Sequence, residues 1–269
     1  MATTATRVPV PTRRFSELPG GLDIWPTVAS LVVLVGGWEI LGQLWKVQFF
    51  PPLSAVLAKL GSLLTAGVIT SALENSLVNL AIGFAISLVF GLGIGFLMGV
   101  FRRVNAALDI YVYALLTAPS LVFAPIFFAI WGLGREPVIA VVVMYSIFIM
   151  IINTQAAVTT VPVSLVEMGR SYNASRLQMW RRIIIPSALP LIMAGVRLGA
   201  GRAVKGMLNG EMFIAIVGLG RLVMDGSRAF DASLVLSVLI VIVVIAFVVV
   251  WLVQQIDNYL TRWLPKTTR

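Results

Sequence analysis

The stretch ASLVLSVLIVIVVIAFVVVWLVQQ, residues 232–255, contains no charged side chain, and its polar residues are confined to two serines and two glutamines. An α-helix rises 1.5 Å per residue, so about 20 apolar residues cross the roughly 30 Å hydrocarbon core of a bilayer. We therefore predict that residues 232–255 form a membrane-spanning helix.

Stretches of similar length and composition recur towards the N-terminus, at residues 24–45, 75–101, 110–134, 137–158 and 187–207. The 269-residue chain is 59% hydrophobic and only 12% charged. A soluble protein is roughly a quarter charged, so this chain has too few charges to cover a water-exposed surface. The sequence predicts an all-α, polytopic membrane protein with about six transmembrane helices.

Two shorter patterns accompany the predicted spans. Pro51 and Pro52 interrupt helix after the first span, and the amphipathic stretch 55–64 is predicted to form a short interfacial helix. Gly91, Gly95 and Gly99 recur every four residues in the second span, which places them on one helical face. Small residues on one face favour close packing against another helix in a membrane.

Lysine and arginine are distributed unequally between the two ends of the spans. With a cytoplasmic N-terminus, the inner segments carry Arg7, Arg13, Arg14, Arg102, Arg103, Arg170, Arg176, Arg181, Arg182, Arg262, Lys266 and Arg269. The outer segments then carry only Lys46, Lys59, Arg135, Arg221 and Arg228. The positive-inside rule thus predicts two cytoplasmic tails, 1–21 and 261–269, around one transmembrane domain, 22–260. No signal-peptide cleavage pattern precedes the first span, which we expect to be retained.

Several functions are disfavoured by what the chain lacks. It has no cysteine and no histidine, which removes disulfides, thiolate metal sites and most acid–base chemistry. It also has no phosphate-binding loop, so we expect a non-catalytic chain without its own cofactor or metal. Its net charge of +9 is spread over many loops rather than gathered into one nucleic-acid-binding patch. A secondary transporter, or another six-span protein not driven by ATP, remains the alternative to the function inferred below.

The longest polar interruption between spans is residues 162–186. Ser164 to Glu167 and Ser175 to Gln178 both fit the capping box, in which the serine and the fourth residue satisfy backbone groups reciprocally. Asn173 tolerates the left-handed conformation that ends a helix. The pattern predicts a helix, a tight turn at Asn173 and a second helix that ends at Pro186.

This segment resembles the EAA loop of bacterial ABC import permeases. The resemblance rests on Glu167-Met168-Gly169, Asn173 and Ile183-Ile184-Ile185-Pro186, although Met168, Asn173 and Ile185 depart from the usual residues of that loop. Other segments follow the order typical of the nitrate/sulfonate/taurine branch, namely Gly195-Val196-Arg197-Leu198, Gly201-Arg202-Ala203, Gly210-Glu211-Met212 and Gly218-Leu219-Gly220.

The resemblance implies a type I ABC importer permease in the bacterial cytoplasmic membrane. The expected partners are cytoplasmic ATPase subunits that hold ATP and Mg, a second permease copy in a homodimer, and an extracytoplasmic solute-binding protein. The second loop helix is expected to dock on the ATPase. The residues assigned to this coupling are Glu167, Gly169, Asn173, Ala174, Ser175, Arg176, Gln178, Arg181, Arg182 and Pro186.

The predicted fifth span is unusual because it contains Arg197, Arg202 and Lys205. A charge inside a bilayer costs several kcal/mol unless it is paired or hydrated. Arg202, Lys205 and Asn209 are spaced to share one helical face, and Glu211 follows closely. Three interpretations stay open. These side chains line a path for an anion such as nitrate, a sulfonate or a carboxylate, or Lys205 or Arg202 pairs with Glu211, or the cations extend to the membrane interface.

Overall fold

The computed structural model describes residues 24–45, 47, 49–214 and 216–263. The predicted tail 1–21 and residues 264–269 of the second tail lie outside this part of the chain. The α-helices, in chain order, are α1 Ile24–Trp45, α2 Leu53–Thr65, α3 Val68–Val100, α4 Arg102–Thr117, α5 Ala124–Trp131, α6 Arg135–Thr159, α7 Val163–Ser171, α8 Arg176–Met179, α9 Ile185–Ile214, α10 Gly218–Arg228 and α11 Ala232–Leu260. A 3-10 turn, Ser120–Phe123, precedes α5, and a π-helical turn, Trp180–Ile184, precedes α9.

Helices long and apolar enough to cross a membrane contain five of the six predicted spans: α1, α3, α6, α9 and α11. The prediction of one continuous helix over residues 110–134 was wrong. The segments Arg102–Thr117 and Ser120–Trp131 are bent by 96° relative to each other, and they make a sixth span only if they are counted together. The break follows from Pro119, because the residue before a proline avoids helix and Ala118 is extended, with ψ 140°.

Three long helices, α3, α6 and α9, form the centre of the bundle, and α6 contacts both of the others extensively. The glycine face of α3 lies against α6, as the spacing of four predicted. A β-carbon at Gly95 would lie 2.5 Å from the carbonyl oxygen of Ile151, and one at Gly99 would lie 2.5 Å from Cβ of Val158. The absence of side chains at these positions therefore lets the two backbones approach each other.

The predicted interfacial segment is helix α2, which packs against the beginning of α11. Val56 is fully buried, and its carbonyl oxygen accepts a 2.8 Å hydrogen bond from Oγ of Ser237. Lys59 Nζ lies 2.9 Å from Oδ2 of Asp231. The hydrogen bond from Lys59, together with the Leu234 N–H, lowers the pKa of the Asp231 carboxyl below its ordinary value. This end of the bundle is thus held together by α2 and α11.

The boundaries of the loop helices differ from the prediction in two places. Pro186 does not end a helix, because the helical run continues from Arg176 to Ile214. The π-helical turn Trp180–Ile184 changes the hydrogen-bond register just before Pro186, where a residue without an N–H is tolerated. The capping box at Ser164 is not formed, because α7 already begins at Val163 after the extended residue Pro162.

Candidate functional site

The turn between α7 and α8 closes through a short set of backbone hydrogen bonds. Asn173 has a φ of +52°, which confirms the predicted left-handed residue. The Asn173 N–H donates to the Arg170 carbonyl at 2.9 Å, and the Ala174 N–H donates to the Gly169 carbonyl at 3.0 Å. These bonds satisfy the last carbonyls of α7, so the turn is specified by its own backbone.

The second capping box is formed as predicted. The Ser175 N–H donates to Oε1 of Gln178 at 2.8 Å, and the Gln178 N–H donates to Oγ of Ser175 at 3.4 Å. Gly169 is buried against the following turns, since a β-carbon there would lie 2.8 Å from Cε of Met179. The two loop helices therefore pack directly against each other.

Trp180 anchors the loop to the bundle. Its ring makes edge-on contacts with Phe96 and Phe101 at the end of α3, with centroid distances of 5.8 and 5.9 Å. Because such aromatic pairs add to the burial of apolar area, they fix the position of the second loop helix on α3. Sequence reasoning did not select Trp180, although a tryptophan inside a short polar loop was a signal.

Most of the predicted coupling residues lie on an exposed surface of this loop. The exposed members are Glu167, Asn173, Ser175, Arg176, Gln178, Arg181 and Arg182, whereas Gly169 is buried and Ala174 and Pro186 are half-buried. Large apolar side chains lie among the charges, with Tyr172 83% exposed and Leu177 59% exposed. We call the exposed residues between Glu167 and Arg182 the loop surface. A mixture of arginine and exposed aromatic or aliphatic side chains is typical of protein interfaces.

The predicted cationic face is present on α9. Arg202 and Lys205 are exposed, and no ion pair involves either of them within the described residues. One turn further, Nδ2 of Asn209 donates a 2.9 Å hydrogen bond to the hydroxyl of half-buried Tyr145. Arg202, Lys205 and Asn209 thus share one face, which we call the cationic face.

Glu211 does not belong to the cationic face, and the alternative ion pair of Glu211 with Lys205 or Arg202 is not formed. The residue is fully buried against α3 and the beginning of α10. Its Oε2 accepts from Oγ of Ser76 at 2.7 Å and from the Gly220 N–H at 3.2 Å, and its Oε1 accepts from Nδ2 of Asn79 at 3.2 Å. Glu211 follows Asn209 by two residues on α9, so its side chain points about 200° around the helix axis from that of Asn209.

Arg197, the third cation of this helix, forms an ion pair with Asp257 of α11. The Asp257 side chain is only 11% exposed, whereas that of Arg197 is 37% exposed. The charge of Arg197 is therefore balanced by an ion pair between α9 and α11. The sequence showed Asp257 near the end of the last span but gave no sign of which cation it would meet.

No group of three or more acidic side chains converges to hold a metal ion in the part of the chain that the structure describes. The buried polar residues instead serve helix contacts, as in the 2.7 Å hydrogen bond from Oγ of Ser146 to Oγ of Ser87. Sequence reasoning missed Ser76 and Asn79, the partners of Glu211. Two polar residues three positions apart in an otherwise apolar span were the available signal.

Comparison with protein families matches residues 87–262 to the binding-protein-dependent transport system inner membrane component family. The matched region includes the loop surface, the cationic face and the buried Glu211. It extends over about two thirds of the chain.

Individual proteins are also similar to this chain. The chain is 27% identical to a putative aliphatic sulfonates transport permease protein of Bacillus subtilis, over 86% of this chain and 84% of that one. It is 28% identical to the taurine transport system permease protein of Escherichia coli, over 90% of this chain and 86% of that one. Among solved structures, a chain of the MetNI methionine ABC transporter in an inward-facing conformation superposes with a TM-score of 0.66 at 17% identity, covering 73% of this chain and 98% of that chain.

Proposed function

The chain belongs to the family of binding-protein-dependent transport system inner membrane components, as a permease subunit of an ABC importer, and from that premise we propose that a separate ATPase drives it through the loop surface. The ATP and Mg are held by that partner, and this chain contributes no catalytic residue. A second permease copy and an extracytoplasmic solute-binding protein complete the assembly, which lies in the bacterial cytoplasmic membrane.

The composition of the loop surface is the observation that supports ATPase docking best. Tyr172 and Leu177 expose most of their apolar area outside the bundle, next to Arg176, Arg181 and Arg182. Buried apolar anchors supply most of the affinity of protein interfaces, and the surrounding charges select the partner. A partner with an apolar groove and acidic side chains would complement this surface.

Co-purification tests the proposal. The tagged chain, expressed in its own host and extracted in mild detergent, should bring down an ATP-hydrolysing subunit in a defined ratio. Replacement of both Tyr172 and Leu177 by Asp should abolish recovery of that subunit while the chain remains inserted, because two apolar anchors are lost. Equal recovery with the unmodified chain and with this variant would contradict docking at the loop surface.

Side-specific labelling tests the proposed orientation, in which the loop surface and both termini are cytoplasmic. The chain has no native cysteine, so a single introduced cysteine can be labelled without background. Ser171, on the exposed side of α7, and Ser71, exposed at the opposite end of α3, form a matched pair. In intact cells an impermeant maleimide should label Ser71→Cys and should label Ser171→Cys only after permeabilisation. The reverse pattern would invert the topology.

We further propose that the transported solute is a small anion that passes the cationic face. The two exposed cations, Arg202 and Lys205, lie in a membrane-spanning helix. A lipid-facing cation there would cost several kcal/mol, so this face is expected to border water between two permease copies. The related permeases named for aliphatic sulfonates and taurine handle solutes that carry a sulfonate group, which supports an anion of that size.

Lys205→Met tests this path. Lys205 is exposed and pairs with no described residue, so its loss should leave thermal stability in detergent unchanged. Uptake of a sulfonate into reconstituted vesicles should fall about tenfold, which corresponds to about 1.4 kcal/mol. This is less than the ~4 kcal/mol of a single charge pair at 4 Å, because Arg202 remains. Lys205→Arg should retain part of the uptake. Arg228→Met, which removes an exposed cation outside the cationic face that forms no ion pair within the described residues, should leave uptake unchanged, and an equal loss in both variants would exclude a specific role for Lys205.

A further inference from the structure

The buried carboxylate of Glu211 in α9 is hydrogen-bonded to both α3 and α10. These contacts lie outside the cationic face. The two oxygens of Glu211 accept hydrogen bonds from Ser76 and Asn79 of α3 and from the Gly220 N–H of α10. Oγ of Ser76 also accepts a 2.9 Å hydrogen bond from the Leu219 N–H. The side chains of Glu211 and Ser76 therefore take up two consecutive backbone N–H groups in the first turn of α10.

These contacts supply the missing cap of α10. The first N–H groups of a helix have no partner within the helix, and the residue before α10, Val217, provides no side-chain cap. A carboxylate at this position also interacts favourably with the helix dipole. The beginning of α10 is thus capped by side chains of α9 and α3 rather than by the residue that precedes it.

Glycines permit this arrangement. Gly218 has a φ of +80°, and a β-carbon there would overlap the carboxylate of Glu211. A β-carbon at Gly220 would lie 2.6 Å from the backbone nitrogen of Met212. The first turn of α10 therefore lies directly on the backbone of α9, with Glu211 between them.

The other end of the same helical run begins in the loop surface. Helix is continuous from Arg176, beside the capping box at Ser175, to Ile214. The 30 residues of α9 alone extend about 45 Å, enough to cross the bilayer. A displacement of the loop therefore acts on one end of a helix whose other end carries α10.

We infer that Glu211 is a positioning residue that transmits movement of the loop surface to α10 on the opposite side of the membrane. The inference rests on the proposed function, because an ATPase bound to the loop surface supplies the movement. A joint in which both oxygens of Glu211 accept hydrogen bonds moves α10 together with α9. Without these hydrogen bonds, α10 is held to α9 by apolar packing, in which Leu219 and Val223 share a buried cluster with Val204 and Met207.

Hydrogen exchange tests the joint in the full chain reconstituted in nanodiscs. Ser76→Ala removes a donor to Glu211 and the acceptor for Leu219, and amide exchange in residues 218–228 should rise about tenfold. Ser71→Ala is the matched control on the same helix, since Oγ of Ser71 donates only to the Val68 carbonyl in the structure. Glu211→Gln should also raise exchange in this segment, and wild-type exchange in both variants would overturn the inference.

Spin labels test the transmission in the complex with the co-purified ATPase. Nitroxides at Ser171→Cys in the loop and at Arg228→Cys at the end of α10 should both change mobility when ATP and Mg are added. In Ser76→Ala the loop label should still respond, whereas the α10 label should lose its response. An unchanged α10 response in Ser76→Ala would overturn the inference, whereas no response of the loop label in the parent protein would contradict the proposed function, in which the ATPase drives the chain through the loop surface.

Discussion

Ala174→Pro is expected to abolish recovery of the partner ATPase, and transport with it, while the chain remains inserted in the membrane. The Ala174 N–H donates to the Gly169 carbonyl at 3.0 Å, and proline has no N–H to replace it. The residue before a proline also avoids helical conformations, yet Asn173 is held in the left-handed helical region. The combined cost is about 3 kcal/mol, which corresponds to roughly a hundredfold loss of the native turn.

The control for this variant is Ala174→Gly. Glycine keeps the N–H group and removes only a methyl group from a half-buried position, so the turn should persist and the ATPase should still be recovered. Recovery is quantified as the ratio of ATPase to permease after affinity purification. If Ala174→Pro brings down as much ATPase as Ala174→Gly, the turn has no part in docking.

Loss of the Arg197–Asp257 ion pair should have the largest effect on stability. Arg197→Met would leave the carboxylate of Asp257, 11% exposed, without its cation. Removal of one partner from a buried pair costs about 3–5 kcal/mol, and we expect about 2–3 kcal/mol here because the Arg197 side chain is 37% exposed. The measurement is the unfolding midpoint in detergent, which should fall by several degrees.

A double-mutant comparison separates the ion pair from general damage to the core. Asp257→Asn alone should also destabilise the chain, whereas Arg197→Met combined with Asp257→Asn should lose less stability than the sum of the single changes. Arg202→Met is a matched control on the same helix, because Arg202 is exposed and forms no ion pair in the described part of the chain. Additive losses in the double variant would show that Arg197 stabilises the chain without this pair.

The features that could be predicted from the sequence depend on neighbouring residues along the chain. Hydropathy located the spans that became α1, α3, α6, α9 and α11, since a bilayer-crossing helix must be continuous and apolar. The turn at Asn173 and the capping box at Ser175 were also predicted, because their hydrogen bonds close within three to five residues. Resemblance to a known loop extended this local information to a family.

Local patterns failed where a distant contact or a change of helical register set the outcome. Pro186 is a helix breaker in isolation, but the π-helical turn before it allows the helix to continue. Ser164 had the spacing of a cap, but α7 is preceded by the extended residue Pro162 and begins at Val163, two residues earlier than a cap at Ser164 would place it. Residues 110–134 are apolar enough to lie in a membrane, but their composition did not predict the 96° bend between the two helical segments at Pro119.

By itself the sequence determined which segments are long and apolar enough to cross a membrane, where the turn between α7 and α8 lies and which face of the fifth predicted span is cationic, because each property follows from composition or from local spacing. Only the tertiary structure decided how the buried charges are satisfied. Arg197 meets an aspartate 60 positions away, and Glu211 meets a serine 135 positions away. Burial makes a partner necessary for each charge, but only the packing of α3, α9, α10 and α11 determines which residue comes within hydrogen-bonding distance.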